Sequence, residues 1–228
     1  MRVVCLIQAR MSSQRLPGKV LREVLGQPLL GYLVDRVTCC KEIDMLAIAT
    51  STDQSDNILV EFAETINLAY YRGPLTNVAQ RMLDAAKFFQ ADALVRISGD
   101  SPLVDSSLVD RLVKIFRQNP EVDLVTNVQA RTFPKGQSVE VVPVRTLNYL
   151  VDMGLTADES EHVTKAIYDA KKAFSIVNVV HDQLLGDLQL SVDTEHDINR
   201  FKLILEALGE PYSQHSLEEL IDVALRLP

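Results

Sequence analysis

The feature that most constrains this chain is a repeated exchange between short apolar runs and segments of helical period. Val3–Gln8 opens with five apolar residues in a row, the pattern of a strand buried on both faces of a parallel sheet. Leu29, Leu30, Leu33, Val34 and Val37 then recur at helical spacing. Met45–Thr50 reads as a second strand, with Ile58, Leu59, Phe62, Ala63 and Ile66 on one helical stripe behind it. Leu68–Tyr71 and the helix marked by Val78, Met82, Leu83 and Ala86 follow, then Ala93–Ser98 and the helix of Leu108, Leu112, Ile115 and Phe116. Strand and helix alternating this often predict an α/β fold, three layers around a mainly parallel sheet.

The second half is less regular. Ser138–Val144 alternates and contains Pro143, which predicts an edge or mixed strand. Phe174–Val180 and Leu188–Val192 read as two further strands. Thr156 with Glu159, Thr194 with Asp197 and Ser216 with Glu219 have capping-box spacing. The first of these predicts a helix continuing through Val163, Ala166, Ile167 and Ala170, with Glu161 and His162 in its first turns, where an acid complements the dipole. With no repeat and no long linker, residues 1–228 are expected to form one domain.

Composition narrows the function. The chain is 47% hydrophobic and 24% charged, enough to bury a core. Its net charge of −8 opposes a phosphate backbone, so no nucleic-acid partner is expected, and an anionic ligand must be met by a local cation cluster or through a divalent metal. Cys5, Cys39 and Cys40 give neither a disulfide framework nor a metal spacing. The apolar run Val3–Ile7 is too short for a signal peptide core of about 7–15 residues or a span of about 20, so no membrane partner and a cytoplasmic location are expected.

Ligands of open α/β sheets bind at the carboxyl ends of strands. There the first strand runs into Gln8-Ala9-Arg10-Met11-Ser12-Ser13-Gln14-Arg15-Leu16-Pro17-Gly18-Lys19. Small residues let backbone amides approach an anion, and guanidinium forks with an ammonium suit a polyphosphate. The segment lacks the upstream glycine and the Ser/Thr after lysine of a P-loop. Ser98-Gly99-Asp100 follows the fourth strand, and Asp193 precedes the Thr194 cap. A carboxylate beside a polyphosphate suits Mg²⁺, and Asp193, closing a late strand, is the natural second one. Taken singly, each segment is also compatible with a solvated turn or a helix cap.

Ile7-Gln8-Ala9-Arg10-Met11 with Arg15-Leu16-Pro17-Gly18-Lys19-Val20-Leu21 closely resembles the opening loop of the cytidylyltransferases that activate acidic sugars, above all the branch named after a spore coat polysaccharide biosynthesis protein (SpsF). The resemblance recurs at Arg72-Gly73, at Arg96-Ile97-Ser98-Gly99-Asp100-Ser101-Pro102-Leu103, and at Arg131-Thr132-Phe133-Pro134 with Gly136 and Glu140. It returns at Glu161-His162-Val163-Thr164 and at Val192-Asp193-Thr194 with Asp197.

The resemblance implies a fold similar to the nucleotide-diphosphosugar transferases and transfer of CMP from CTP to a small acidic-sugar hydroxyl, with pyrophosphate leaving. It implies that Lys19, Arg10 and Arg15 neutralise the triphosphate, and that Gln8, Ala9, Ser12, Arg72, Gly73, Asn77 and Gly99 border the nucleotide. It assigns Glu140, Glu161 and His162 to the acceptor and Asp100 and Asp193 to Mg²⁺, in a homodimer. Arg131, Arg145 and Lys165 are available to an acceptor carboxylate. Ser12, Gln14, Asn77, Ser138 and His196 depart from residues common in relatives, which bears mainly on loop shape and acceptor identity. A glycosyltransferase of similar fold is disfavoured because no two aspartates stand two positions apart; a non-catalytic paralogue is disfavoured by Lys19, Asp100 and Asp193 together. Lys19→Ala is expected to cut turnover sharply with the fold intact, and an unchanged rate removes this loop from the mechanism.

Overall fold

The computed structural model describes residues 1–13, 15–170 and 173–227. Its strands are β1 (Val3–Gln8), β2 (Glu23–Val24), β3 (Gln27–Pro28), β4 (Met45–Ser51), β5 (Ala69–Gly73), β6 (Ala93–Ser98), β7 (Leu124–Thr126), β8 (Glu140–Pro143) and β9 (Ile176–Asn178). The helices are α1 (Leu29–Thr38), α2 (Asn57–Thr65), α3 (Val78–Phe88), α4 (Ser106–Gln118), α5 (Val144–Met153), α6 (Ala157–Glu161), α7 (Lys165–Asp169), α8 (Glu195–Leu208) and α9 (Leu217–Arg226). Among the described residues the main sheet has seven strands in the order β5-β4-β1-β6-β8-β7-β9. β8 runs antiparallel to both its neighbours, and every other pairing in the sheet is parallel.

The three layers follow from the two faces of β1. Val3, Cys5 and Ile7 pack with α1, α2 and α4, including Leu33, Leu59 and Leu112. Val4 and Leu6 face the other way, onto Met82, Ala86 and Leu147 of α3 and α5. A continuous apolar run is needed because both faces are covered. A third cluster joins α8 and α9 to Val24, Tyr32 and Val192. No described helix is long and apolar enough to cross a membrane.

Val3–Gln8 and Ala93–Ser98 form strands with the bounds expected of them. Of the two readings of Ser138–Val144, β8 is the mixed strand, lying between β6 and β7 and antiparallel to both, and not an edge; Pro143 is tolerated as its final residue. Other features differ. Leu188–Val192 forms no strand, only an isolated bridge from Gln189 to Lys135. β7 is three residues long, too short to announce itself by periodicity. The helix capped by Thr156 ends at Glu161 and resumes as α7, because Val163 adopts φ 27°. Glu161 therefore closes a helix and His162 caps it, the end where the dipole disfavours an acid.

Gly136 shows how tightly the irregular segment is held. It has φ +93°, and an added Cβ would lie 2.6 Å from the Ser191 nitrogen. Gly136→Ala is expected to destabilise the protein by about 3 kcal/mol, since a left-handed backbone and a backbone collision combine. Urea unfolding with an unchanged m-value checks this; a loss under about 1 kcal/mol contradicts it.

Candidate active site

The loop after β1 is closed by its own backbone and by one buried carboxylate. Met11 O accepts from Ser13 N at 3.0 Å and Gly18 N at 2.9 Å. Gly18 permits this turn with φ +74°. Asp56, fully buried, accepts from Met11 N at 2.7 Å and from the Ser51 amide and hydroxyl at the end of β4. Beyond Gly18 a single 3₁₀ turn, Lys19–Leu21, brings the lysine inward.

The Lys19 ammonium has three donors and uses all three: Asp193 Oδ1 at 2.7 Å, Val192 O at 2.8 Å and Asp100 Oδ2 at 3.0 Å. Its side chain is only 8% exposed. Arg15, largely exposed, reaches the same Asp193 oxygen at 2.8 Å. Gly99 follows β6, and its amide donates to Gln8 O at 2.9 Å. An added Cβ there would lie 3.1 Å from both Gln8 O and Ala9 Cβ, so glycine allows this close approach.

These groups border a cavity of about 740 Å³ at the carboxyl ends of β1 and β6. Arg10 forms its far wall through a forked pair with Glu161, at 2.6 and 3.4 Å. His162, mostly exposed, stands beside them with Nε2 3.6 Å from Asp158. Arg96 donates Nε to Gln8 Oε1 at 3.1 Å and Nη1 to Glu140 Oε2 at 2.6 Å. Glu140 is buried behind this wall, also accepting from Thr164 Oγ1 at 2.7 Å and Tyr168 Oη at 2.5 Å. Burial and the Glu140 charge push the Tyr168 phenol well above its ordinary value, so it stays a donor.

The cavity thus gathers Gln8, Ala9, Arg10, Arg15, Lys19, Gly99, Asp100, Glu161, His162 and Asp193 from the residues picked out in the sequence. Others do not line it. Arg72 donates to Ser51 O at 2.8 Å and Asp53 O at 2.9 Å, tying β5 to β4. Gly73 makes room for Arg81, and Asn77 caps α3 by accepting from Gln80 N at 2.9 Å. Thr76, between them, is the residue of that segment on the cavity wall. Ser12 faces solvent while Ser13 lines the cavity; Gln14 lies outside the described residues.

Arg96 was the residue sequence reasoning missed as a site group. Its signal was a charge inside an apolar, parallel strand, which has to be paired. Arg81 was missed too. Fully buried, it donates Nη1 to Pro74 O at 2.8 Å and Leu75 O at 3.3 Å, and holds the segment that carries Thr76. Burial first, then the nearby Arg10 charge, lowers its pKa to about 10.

Four cations (Arg10, Arg15, Lys19, Arg96) and three carboxylates (Asp100, Glu161, Asp193) line this one cavity. The cations are matched at rest, so an anionic ligand must exchange for carboxylates or arrive with a cation of its own. Among the described residues no group of three or more His, Cys, Asp or Glu could hold a metal unaided. Asp100 and Asp193 nevertheless converge on one positive centre, the Lys19 ammonium. Two carboxylates with phosphate oxygens and water are a donor set that suits Mg²⁺.

Residues 4–219 match the family described as cytidylyltransferase. The spore coat polysaccharide biosynthesis protein SpsF of Bacillus subtilis is 31% identical over 237 residues, covering 99% of this chain and 95% of that protein. A 3-deoxy-manno-octulosonate cytidylyltransferase of Anaeromyxobacter is 31% identical over 148 residues, 63% of this chain and 59% of its own. The solved structure of a cytidylyltransferase from Leptospira borgpetersenii superposes with a TM-score of 0.95 at 29% identity, covering 99% of this chain and 94% of the other.

The two wall ion pairs should differ in stability. Glu140→Ala leaves Arg96 with Gln8 but without its carboxylate in a mostly buried setting and is expected to cost about 3 kcal/mol. Glu161→Ala opens a pair that is about one-third exposed on each side and is expected to cost about 1 kcal/mol or less. Urea unfolding of both variants checks the order, and equal losses refute it.

Proposed function

The chain belongs to the cytidylyltransferases, and we propose that it transfers CMP from CTP to a hydroxyl of an acidic sugar, releasing pyrophosphate. The observation that carries this reading is the Lys19 ammonium, held at the carboxyl ends of β1 and β6 beside Arg15 and two carboxylates. An acidic sugar is favoured because the similar Anaeromyxobacter protein is named for 3-deoxy-manno-octulosonate.

In the reaction an acceptor oxygen forms a bond to the α-phosphorus, the bond to pyrophosphate breaks, and the hydroxyl proton passes to water. Charge grows on the phosphoryl oxygens and the leaving group, so positioning and electrostatic stabilisation dominate. Lys19 and Arg15 meet the triphosphate once its oxygens replace part of their carboxylate contacts. Arg10, fixed by Glu161, borders the same space, and His162 is exposed at its rim. Arg96 occupies the Gln8 carbonyl oxygen, so the Gln8 amide NH₂ is left to donate. Glu140 acts through Arg96 and does not line the cavity.

Mg²⁺ would be held by Asp100 and Asp193, where it would supply Lewis-acid shielding of phosphate charge. The homodimer belongs to the same proposal, and sedimentation velocity reads it directly.

A thermal-shift screen of CTP, UTP, GTP, ATP and dTTP with and without Mg²⁺ tests the nucleotide. A ligand at 100 times its Kd adds about 2.7 kcal/mol, and Mg²⁺-dependent stabilisation by CTP above the others is expected. No shift with any triphosphate overturns the reading. Lys19→Ala should abolish pyrophosphate release and also lower Tm, because Asp100 and Asp193 lose their shared partner; this cost is not apparent from the loop sequence alone. Mg²⁺ without nucleotide should raise the Tm of Lys19→Ala more than that of the wild type, and an equal response argues against these two ligands.

A further inference from the structure

Beside the main cavity lies a second depression of about 310 Å³ that shares Ser98 and Asp100 with it. We propose that this depression is the seat of the acceptor's acid group, gripped by Arg131 and Lys135. The inference rests on the nucleotidyl-transfer reading above and names where the second substrate sits.

Three cations were open to that task in the sequence, and the structure separates them. Arg145 donates to Glu121 O at 2.8 Å and Val122 O at 2.7 Å. Lys165 is paired with Asp169 and Asp158. Both are occupied. Arg131 lines the depression and meets only a neutral group there, donating to Ser138 Oγ at 3.2 Å. Lys135 lines it as well and has no carboxylate within ion-pair distance among the described residues. The cations of the main cavity are matched by carboxylates, whereas these two are not.

The remaining lining is rich in hydroxyls: Ser98, Ser101, Ser138 and Ser191. Two unmatched cations and several hydroxyls suit a small polyhydroxylated anion. The depression is also a built one. Lys135 N donates to Leu188 O at 2.9 Å and Lys135 O accepts from Leu190 N at 2.8 Å, while Gly136 allows the contact with Ser191. Gln137 is buried and links Asp105 N at 2.9 Å to Leu103 O at 2.6 Å. The backbone under both cations is therefore fixed before any ligand arrives, which lowers the ordering cost of binding. An occupant whose acid group lies here has its hydroxyls beside Asp100, on the border shared with the nucleotide cavity.

The test uses the full chain and an Arg131→Gln/Lys135→Gln double variant; both residues are exposed, and circular dichroism with urea unfolding checks that the fold is kept. Titration calorimetry with the α,β-methylene analogue of CTP and Mg²⁺ present, which blocks transfer, is run with 3-deoxy-manno-octulosonate and glucuronate, and with glucose as the counterpart lacking a carboxylate. The wild type should bind at least one acid tenfold or more tightly than glucose. The double variant should lose that preference while its Kd for the CTP analogue stays within twofold. A preference retained by the variant, or absent from the wild type, overturns the inference. So does a tenfold loss of CTP-analogue affinity, which assigns the two cations to the phosphate tail. Failure of the nucleotide reading is separate: the wild type then binds no triphosphate, whereas an acid preference that depends on Arg131 and Lys135 still supports the depression.

Discussion

One ammonium joins the two halves of the cleft at the carboxyl ends of β1 and β6. Lys19 bonds to Asp100, 81 positions away, and to Val192 and Asp193, 173 and 174 positions away. It is nearly excluded from water, so each contact offsets part of its desolvation, and the loss of any one is felt by the rest. The loop that delivers it is closed on Met11 and tied to β4 through Asp56. Folding therefore completes the cationic loop and its counterions together. An anionic ligand that enters this cleft must therefore exchange partners with groups that are already paired.

The second organising element is the chain from Gln8 through Arg96 and Glu140 to Tyr168 and Thr126. It crosses from β1 to β6, β8 and β7, so it fixes the register of side chains across the change in strand direction. Guanidinium can only donate, and this settles which end of the Gln8 amide faces Arg96. A buried charged pair is weak evidence for stability but a strong constraint on geometry once it is complete.

The sequence made the parallel half legible because strands buried on both faces must be apolar throughout. Val3–Gln8 and Ala93–Ser98 carried that pattern, and the three capping boxes at Thr156, Thr194 and Ser216 are all formed. The irregular half was harder. Leu188–Val192 has strand-like composition, but its partners are loop residues, including Lys135 and Asp100. The break at Val163 depends on tertiary packing, since that residue is wholly buried despite its positive φ. In the cleft, Lys19 lies between Asp100 and Asp193, a contact that the separate motifs did not announce. Arg72, Gly73 and Asn77 instead serve the turn between β5 and α3. Sequence proximity could place a segment near the cavity but could not say which neighbour points inward.

The reversed strand β8 has a further consequence. Its first residue, Glu140, lies opposite Arg96, close to the end of β6, so the segment entering β8 arrives where the parallel strands finish. Residues 131–139 pack back onto that place: Phe133 and Val139 join the core cluster that holds Ala9 and Val20, and Lys135 bonds through its backbone to Leu188 and Leu190, just before Val192. The reversed strand thus ties the loop after β1 to the segment before Val192, so a change within residues 131–139 is transmitted to both sides of the cleft.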